Sequence, residues 1–213
     1  MCTVLILRLS ISEVRDPVTH LQGFDVTDSH SLQIIYPALY NHISAGALPN
    51  SAERCDAPKC HPDTRVAIQD EILSWIRQRD DAVAHPERIK WVTGPAGTGK
   101  TAIMGSIADT CKDGGDLAAG FFFSSFSGSA DRRSKRCFVA TLAYQLQQHP
   151  ALAPVRELIL AAVAADPAVF KKGLEDQFEH LILGPLRHAK GCDAASYPKA
   201  IIIDGLDECE AEQ

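Results

Sequence analysis

The feature that most limits what this chain can become is a glycine-spaced loop: Gly94, Pro95, Ala96, Gly97, Thr98, Gly99, Lys100 and Thr101. Its glycines let the backbone wrap closely around an anion without Cβ clashes. Residues 88–93 read as a short strand entering the loop. Residues 101–108 read as the helix leaving it, with Ile103, Met104 and Ile107 at helical spacing. The free N–H groups and positive dipole end of that helix point at the same anion. In such a strand–loop–helix unit these eight residues hold a nucleotide: Lys100 reaches the β- and γ-phosphates and the Thr101 hydroxyl ligates Mg²⁺. The plainer alternative is a glycine-rich turn before a helix, and the two flanks speak against it.

A second stretch supplies what the loop lacks. Ala200, Ile201, Ile202 and Ile203 form a continuous apolar run, as expected of a parallel strand buried on both faces. Asp204 ends that run, where α/β sheets place their ligands. A carboxylate there can hold Mg²⁺ directly or through water. Asp207 is the first candidate to polarise an attacking water and Glu208 the second. Alone, the stretch is equally well a turn after a buried strand; the loop upstream decides for the site.

The chain has 213 residues, enough for a substantial core and for one or two domains. An apolar fraction of 46% and a charged fraction of 23% are ordinary for a globular protein. A net charge of −6 gives no overall electrostatic case for a nucleic-acid or membrane partner. Seven cysteines, an odd number without a secretory leader, argue for reduced thiols and a cytoplasmic setting. Val4 to Leu7 is apolar but interrupted by Arg8, too short for a signal peptide or a membrane span.

Three segments follow. Residues 1–51 read as a weakly structured extension with a strand-like opening and one helix over 31–37, which Pro37 interrupts. Residues 52–87 are a lead-in segment and a helix over 65–79, whose Ile68, Ile72, Leu73 and Ile76 make an apolar stripe. Cys55, Cys60 and His61 tempt a metal reading, but about four tightly spaced ligands are needed and no second pair follows. Residues 88–213 carry the α/β unit. A buried strand is expected over 117–124, where Phe121, Phe122 and Phe123 read as core rather than as a base-stacking platform. Arg132, Arg133, Lys135 and Arg136 read as the solvated start of a helix through Gln147. Further helices are expected over 154–165 and 174–189, with Pro185 kinking or ending the second. The order strand, loop, helix, strand, helices, strand is that of a parallel sheet flanked by helices.

At these residues the chain resembles the N-terminal part of a fungal NACHT-type P-loop NTPase of the STAND class, the nephrocystin 3-like N-terminal domain. The resemblance rests on the Gly94–Thr101 loop, the Phe121-Phe-Phe-Ser124 strand and Leu142-Ala-Tyr-Gln-Leu146. It continues through Leu181-Ile-Leu-Gly-Pro-Leu186 and Ile201-Ile-Ile-Asp-Gly-Leu-Asp-Glu-Cys209. Cys60-His-Pro-Asp-Thr-Arg65 is similar to the segment that such proteins place close to the adenine pocket, which adds Arg65 to the candidate nucleotide ligands. The family implies a switch that holds ATP or GTP with Mg²⁺ and oligomerises in signalling or innate recognition.

Such proteins continue past the Asp–Glu strand into further strands, a sensor residue, a helical bundle, a winged helix and often repeats. The reading here is accordingly a P-loop sheet incomplete at the C-terminus, with an open edge and part of the ligand pocket unformed. The leading expectation is a nucleoside-triphosphate-binding module with slow Mg²⁺-dependent hydrolysis at most, partnered by copies of itself or by full-length relatives. The alternatives are a non-catalytic interaction fragment, a decoy of those relatives, and a P-loop small-molecule kinase. The kinase needs an arginine-rich lid, for which residues 132–136 are the candidate.

Overall fold

The computed structural model describes residues 2–9, 38–78, 87–126, 128–192 and 196–210. Four strands, β1 (Cys2–Arg8), β2 (Ile89–Gly94), β3 (Leu117–Phe122) and β4 (Ala200–Asp204), form one sheet in the order β2-β1-β4-β3. The protein is mixed α/β, as its element order implies. β3 and β4 pair in parallel, with Phe122 opposite Asp204. β1 runs antiparallel to both its neighbours, with Cys2 opposite Gly94 on one side and Leu5 opposite Ile203 on the other. The strands β2, β4 and β3 therefore all run one way, and their C-terminal ends lie at one end of the sheet.

Burial follows strand position. All five residues of β4 are buried, and β3 is buried from Ala118 to Phe122. A strand covered on both faces needs a continuous apolar run, which both supply. β1 alternates instead, with Val4 and Ile6 fully covered and Leu5 and Leu7 half-covered. β2 has no outer neighbour among the described residues, and it exposes Ile89, Trp91 and Thr93.

Two helices cover one face. α1 (Val66–Arg77) buries Ile72 and Ile76, and α2 (Lys100–Asp113) buries Ile103, Met104 and Ile107. They close a core over Val4, Ile6, Phe122 and Ile202. Each such side chain contributes about 1.5–3 kcal/mol through burial. Arg8, at the end of β1, is itself buried and donates from Nη1 to the carbonyls of Trp75 and Gln78. It thereby caps the carbonyl end of α1, where a cation is favoured by the helix dipole.

The chain divides into two compact units, the first holding residues 1–10, 44–135 and 197–213 and the second 11–43 and 136–196. The second unit is helical: α3 (Phe138–Gln148), α4 (Ala153–Ala165), α5 (Leu174–Phe178) and α6 (Gly184–His188). Between α5 and α6 the five residues Glu179–Leu183 form a wide π turn. Pro185 has no N–H to continue the i→i−4 ladder, and the widened turn lets the chain carry on without it. Among the described residues no helix is long and apolar enough to cross a membrane.

Two expectations need adjustment. Cys2–Arg8, placed within a weakly structured extension, is an inner strand of the sheet. Arg132 was expected on a solvated helix start; it is only 7% exposed and precedes α3, which begins at Phe138. Its Nε donates to the carbonyl of Phe122, so the guanidinium serves the end of β3. The helix expected over 31–37 lies outside the described residues.

Candidate functional site

Strand β2 ends at Gly94 and α2 begins at Lys100, so Pro95 to Gly99 form the connecting loop. Gly99 caps the helix with φ of +80°, a left-handed conformation that costs other residues about 1–2 kcal/mol. A Cβ there would also collide with the guanidinium of Arg65. Lys100 is buried, and its ammonium donates to the carbonyls of Gly94 (3.0 Å) and Pro95 (2.6 Å) and to Thr98 Oγ1 (3.0 Å). Thr98 in turn donates to Pro95 O at 2.9 Å. The loop is thus drawn around the lysine charge, with Pro95, Ala96, Gly97 and Thr98 exposed beside it.

Arg65 reaches this loop from a strained turn. Asp63 and Arg65 both have positive φ, 64° and 58°, although neither is glycine. Thr64 Oγ1 donates to His61 O at 2.6 Å and holds the turn together. Strain of this kind persists where the surroundings enforce a particular side-chain position. Here the position enforced is Arg65 against Gly99. The lead-in chain before it is fastened to α2: Lys59 pairs with Asp109 at 2.6 Å, and the Cys60 N–H donates to Ser106 Oγ at 3.0 Å.

Asp204 closes β4 at the same end of the sheet as the loop. It is 2% exposed and hydrogen-bonded by the Thr101 hydroxyl, which brings the two expected metal ligands into contact. Burial raises its carboxyl above the usual carboxylate range, against the pull of Thr101 and of the nearby Arg54 guanidinium; Glu208 pushes the same way as burial. The chain then turns sharply at Gly205, where φ is +69° and a Cβ would press to 3.0 Å from Phe123 O.

That turn separates the two water-activating candidates. Asp207 Oδ1 accepts the Thr3 N–H at 2.7 Å, on the β1 side, where Cys2 pairs with Gly94. Glu208 Oε2 accepts both the N–H (2.8 Å) and the hydroxyl (2.9 Å) of Ser125, beyond the end of β3. Asp207 is the carboxylate on the loop side of Asp204, and it is the exposed one.

Sequence reasoning did not find Thr3, Ser125 or Arg54, and it read Arg132 as solvated. Thr3 acts through its backbone N–H, which leaves no trace in residue type, and Ser125 through its N–H and a hydroxyl that nothing nearby in the sequence marks. Arg54 and Arg132 lack spacing signals, since each lies in a single helical turn, Ala52–Arg54 and Ala130–Arg132.

Gly99→Ala is expected to destabilise the fold by about 1–2 kcal/mol through its backbone conformation, with the mobile end of Arg65 yielding to the new methyl group. Urea unfolding measures this. A cost within about 0.5 kcal/mol of zero, as for an ordinary surface substitution, would contradict the left-handed cap.

Comparison with known proteins adds a family. No curated protein and no solved structure matches the chain. A family model described as "Nephrocystin 3, N-terminal" matches residues 66–213, a span that contains the loop, α2, β3, β4 and the Asp207–Glu208 turn and excludes β1 and Arg54. With well over half its length matched, the chain belongs to the nephrocystin 3 N-terminal family.

Proposed function

We propose that this protein is a nucleoside-triphosphate-binding module of the NACHT type, taking ATP or GTP with Mg²⁺ and hydrolysing it slowly at most. The observation that carries the reading is the contact between Thr101 and Asp204 at the C-terminal end of the sheet, with Lys100, the residue before Thr101, donating into the loop. Helix N–H groups, a lysine, a hydroxyl and a carboxylate are the complement of a magnesium-bound triphosphate. Mg²⁺ keeps several waters and takes only one or two carboxylates with the phosphates, so Thr101 and Asp204 suffice as its protein ligands.

In this reading Gly94 to Gly99 cradle the phosphates, Lys100 leaves its loop carbonyls for the β- and γ-oxygens, and Arg65 adds a cation at the loop. Asp207 orients the attacking water. Its carboxylate is on the loop side and tied to β1, whereas Glu208 is held by two Ser125 donors. Magnesium supplies charge neutralisation between the phosphates. The kinase alternative loses support, because Arg132 is buried against Phe122 O rather than free to form a lid. Signalling through copies of itself or longer relatives, in the cytoplasm, completes the proposal.

Asp204→Asn tests it. The variant keeps an oxygen for Thr101 but removes the carboxylate. It is expected to bind nucleotide with the same affinity with or without Mg²⁺, while the parent binds more tightly with the metal. Equal affinity with and without Mg²⁺ in both proteins would contradict the metal role.

A further inference from the structure

We infer that Arg54 is the resident counter-charge of Asp204, a buried guanidinium that competes with incoming Mg²⁺ for the metal-ligating carboxylate. The inference rests on the proposed role of Asp204 and adds a charge that tunes the site from outside the segment matched by the family model.

Geometry places Arg54 at the right point. Its guanidinium carbon lies 3.4 Å from the centre of the Phe122 ring. Phe122 is the residue paired with Asp204 across β3 and β4. In a parallel pair, side chains in register share a face, so the guanidinium lies on the Asp204 side of the sheet. That face is the one α2 covers, and Thr101 reaches Asp204 from the first turn of α2. Arg54 cannot easily swing away, because residues 58–60 just beyond it are fastened to α2: Pro58 O lies 3.3 Å from where a Gly105 Cβ would stand, and Lys59 and Cys60 are tied to Asp109 and Ser106.

The other charges around these two groups are already matched. The Lys100 ammonium is occupied by three loop oxygens. Asp109 is paired with Lys59 at 2.6 Å, and Arg132 lies 3.6 Å from Glu53. Arg54 is 8% exposed, and its Nε has no hydrogen-bond partner among the described residues. Burial pulls its pKa down to about 10, Asp204 being the strongest of the groups that oppose the fall. A buried cation that is incompletely matched next to a buried carboxylate is a pair in which each lowers the other's cost. Mg²⁺ arriving at Thr101 and Asp204 meets a positive charge already in place.

The experiment titrates MgCl₂ into protein and a fluorescent ATP or GTP analogue, comparing the parent with Arg54→Met and Arg54→Lys. Met keeps bulk over Phe122 and removes the charge; Lys keeps the charge. The Mg²⁺ concentration for half-saturation is expected to fall by about threefold or more in Arg54→Met, since one unit of like charge is removed from a buried metal site. Arg54→Lys should stay close to the parent. An unchanged or higher Mg²⁺ requirement in Arg54→Met overturns the inference, because a merely structural arginine would loosen Asp204 and raise the requirement. If the Met variant fails to fold, Arg54→Gln carries the same comparison. Nucleotide binding by the parent that ignores Mg²⁺ would instead overturn the metal role of Asp204, and Arg54 with it. Mg²⁺-dependent binding in the parent with no shift in Arg54→Met would overturn Arg54 alone.

Discussion

Lys100→Ala is expected to lower affinity for a nucleoside triphosphate by at least about a hundredfold, or roughly 2.7 kcal/mol, while the protein stays folded. The lysine contributes a charge where phosphate charge is densest, and hydrogen bonds to charged groups are worth about 1.5–3 kcal/mol each. Its loss costs the fold little, because Gly94 O, Pro95 O and Thr98 Oγ1 belong to a loop largely open to water and can be hydrated once the ammonium is gone. Binding by fluorescence, with circular dichroism on the same samples, separates the two effects. Affinity surviving within about tenfold of the parent would contradict the role, since about 1.4 kcal/mol is less than one such bond.

Ile6→Ala is expected to have the largest effect on stability, about 2–5 kcal/mol. Ile6 is fully buried in an inner strand, opposite Lys90 on β2 and Ile202 on β4. A domain of this kind has a total stability of about 5–15 kcal/mol, so one methyl-rich side chain at the sheet centre decides whether much of the protein is folded at 37 °C. The consequence reaches the site as well. Within the sheet, among the described residues, β2, which carries the loop, is joined to β4, which carries Asp204, through β1, beside the Thr101–Asp204 contact. Loosening β1 therefore loosens the distance between the phosphate cradle and the metal ligand, and it releases Asp207 from the Thr3 N–H. Urea unfolding of Ile6→Ala measures the first effect. A cost below about 1 kcal/mol would mean that the site's two halves are held by something other than β1.

The sequence made the local parts of this site legible and its assembly less so. Gly94 to Thr101 announce a loop between strand and helix because glycine spacing and helical periodicity are written in neighbouring residues. The run from Ala200 to Ile203 announces a doubly buried strand for the same reason, and Phe121 to Phe123 fall in the core as expected. Strand order is a long-range property. Nothing in Val4 to Leu7 says that these residues pair with both Ile89–Gly94 and Ala200–Asp204, or that they run antiparallel to both. The apolar run from Val4 to Leu7 read as a strand-like opening, but a partner on each side cannot be read from one segment. Arg54 went unnoticed and Arg132 was read as solvated for a related reason. A cation is normally a surface residue, and only the fold reveals that these two are buried at the end of β3. Arg65 was flagged through resemblance, and its guanidinium lies beside Gly99.

The most direct test of the account is a titration of the purified protein with fluorescent ATP and GTP analogues, with and without Mg²⁺, beside Lys100→Ala. The account predicts binding that Mg²⁺ strengthens and that Lys100→Ala loses, and the analogue bound more tightly identifies the base. No binding by the folded parent protein, or equal binding by parent and Lys100→Ala, would contradict it.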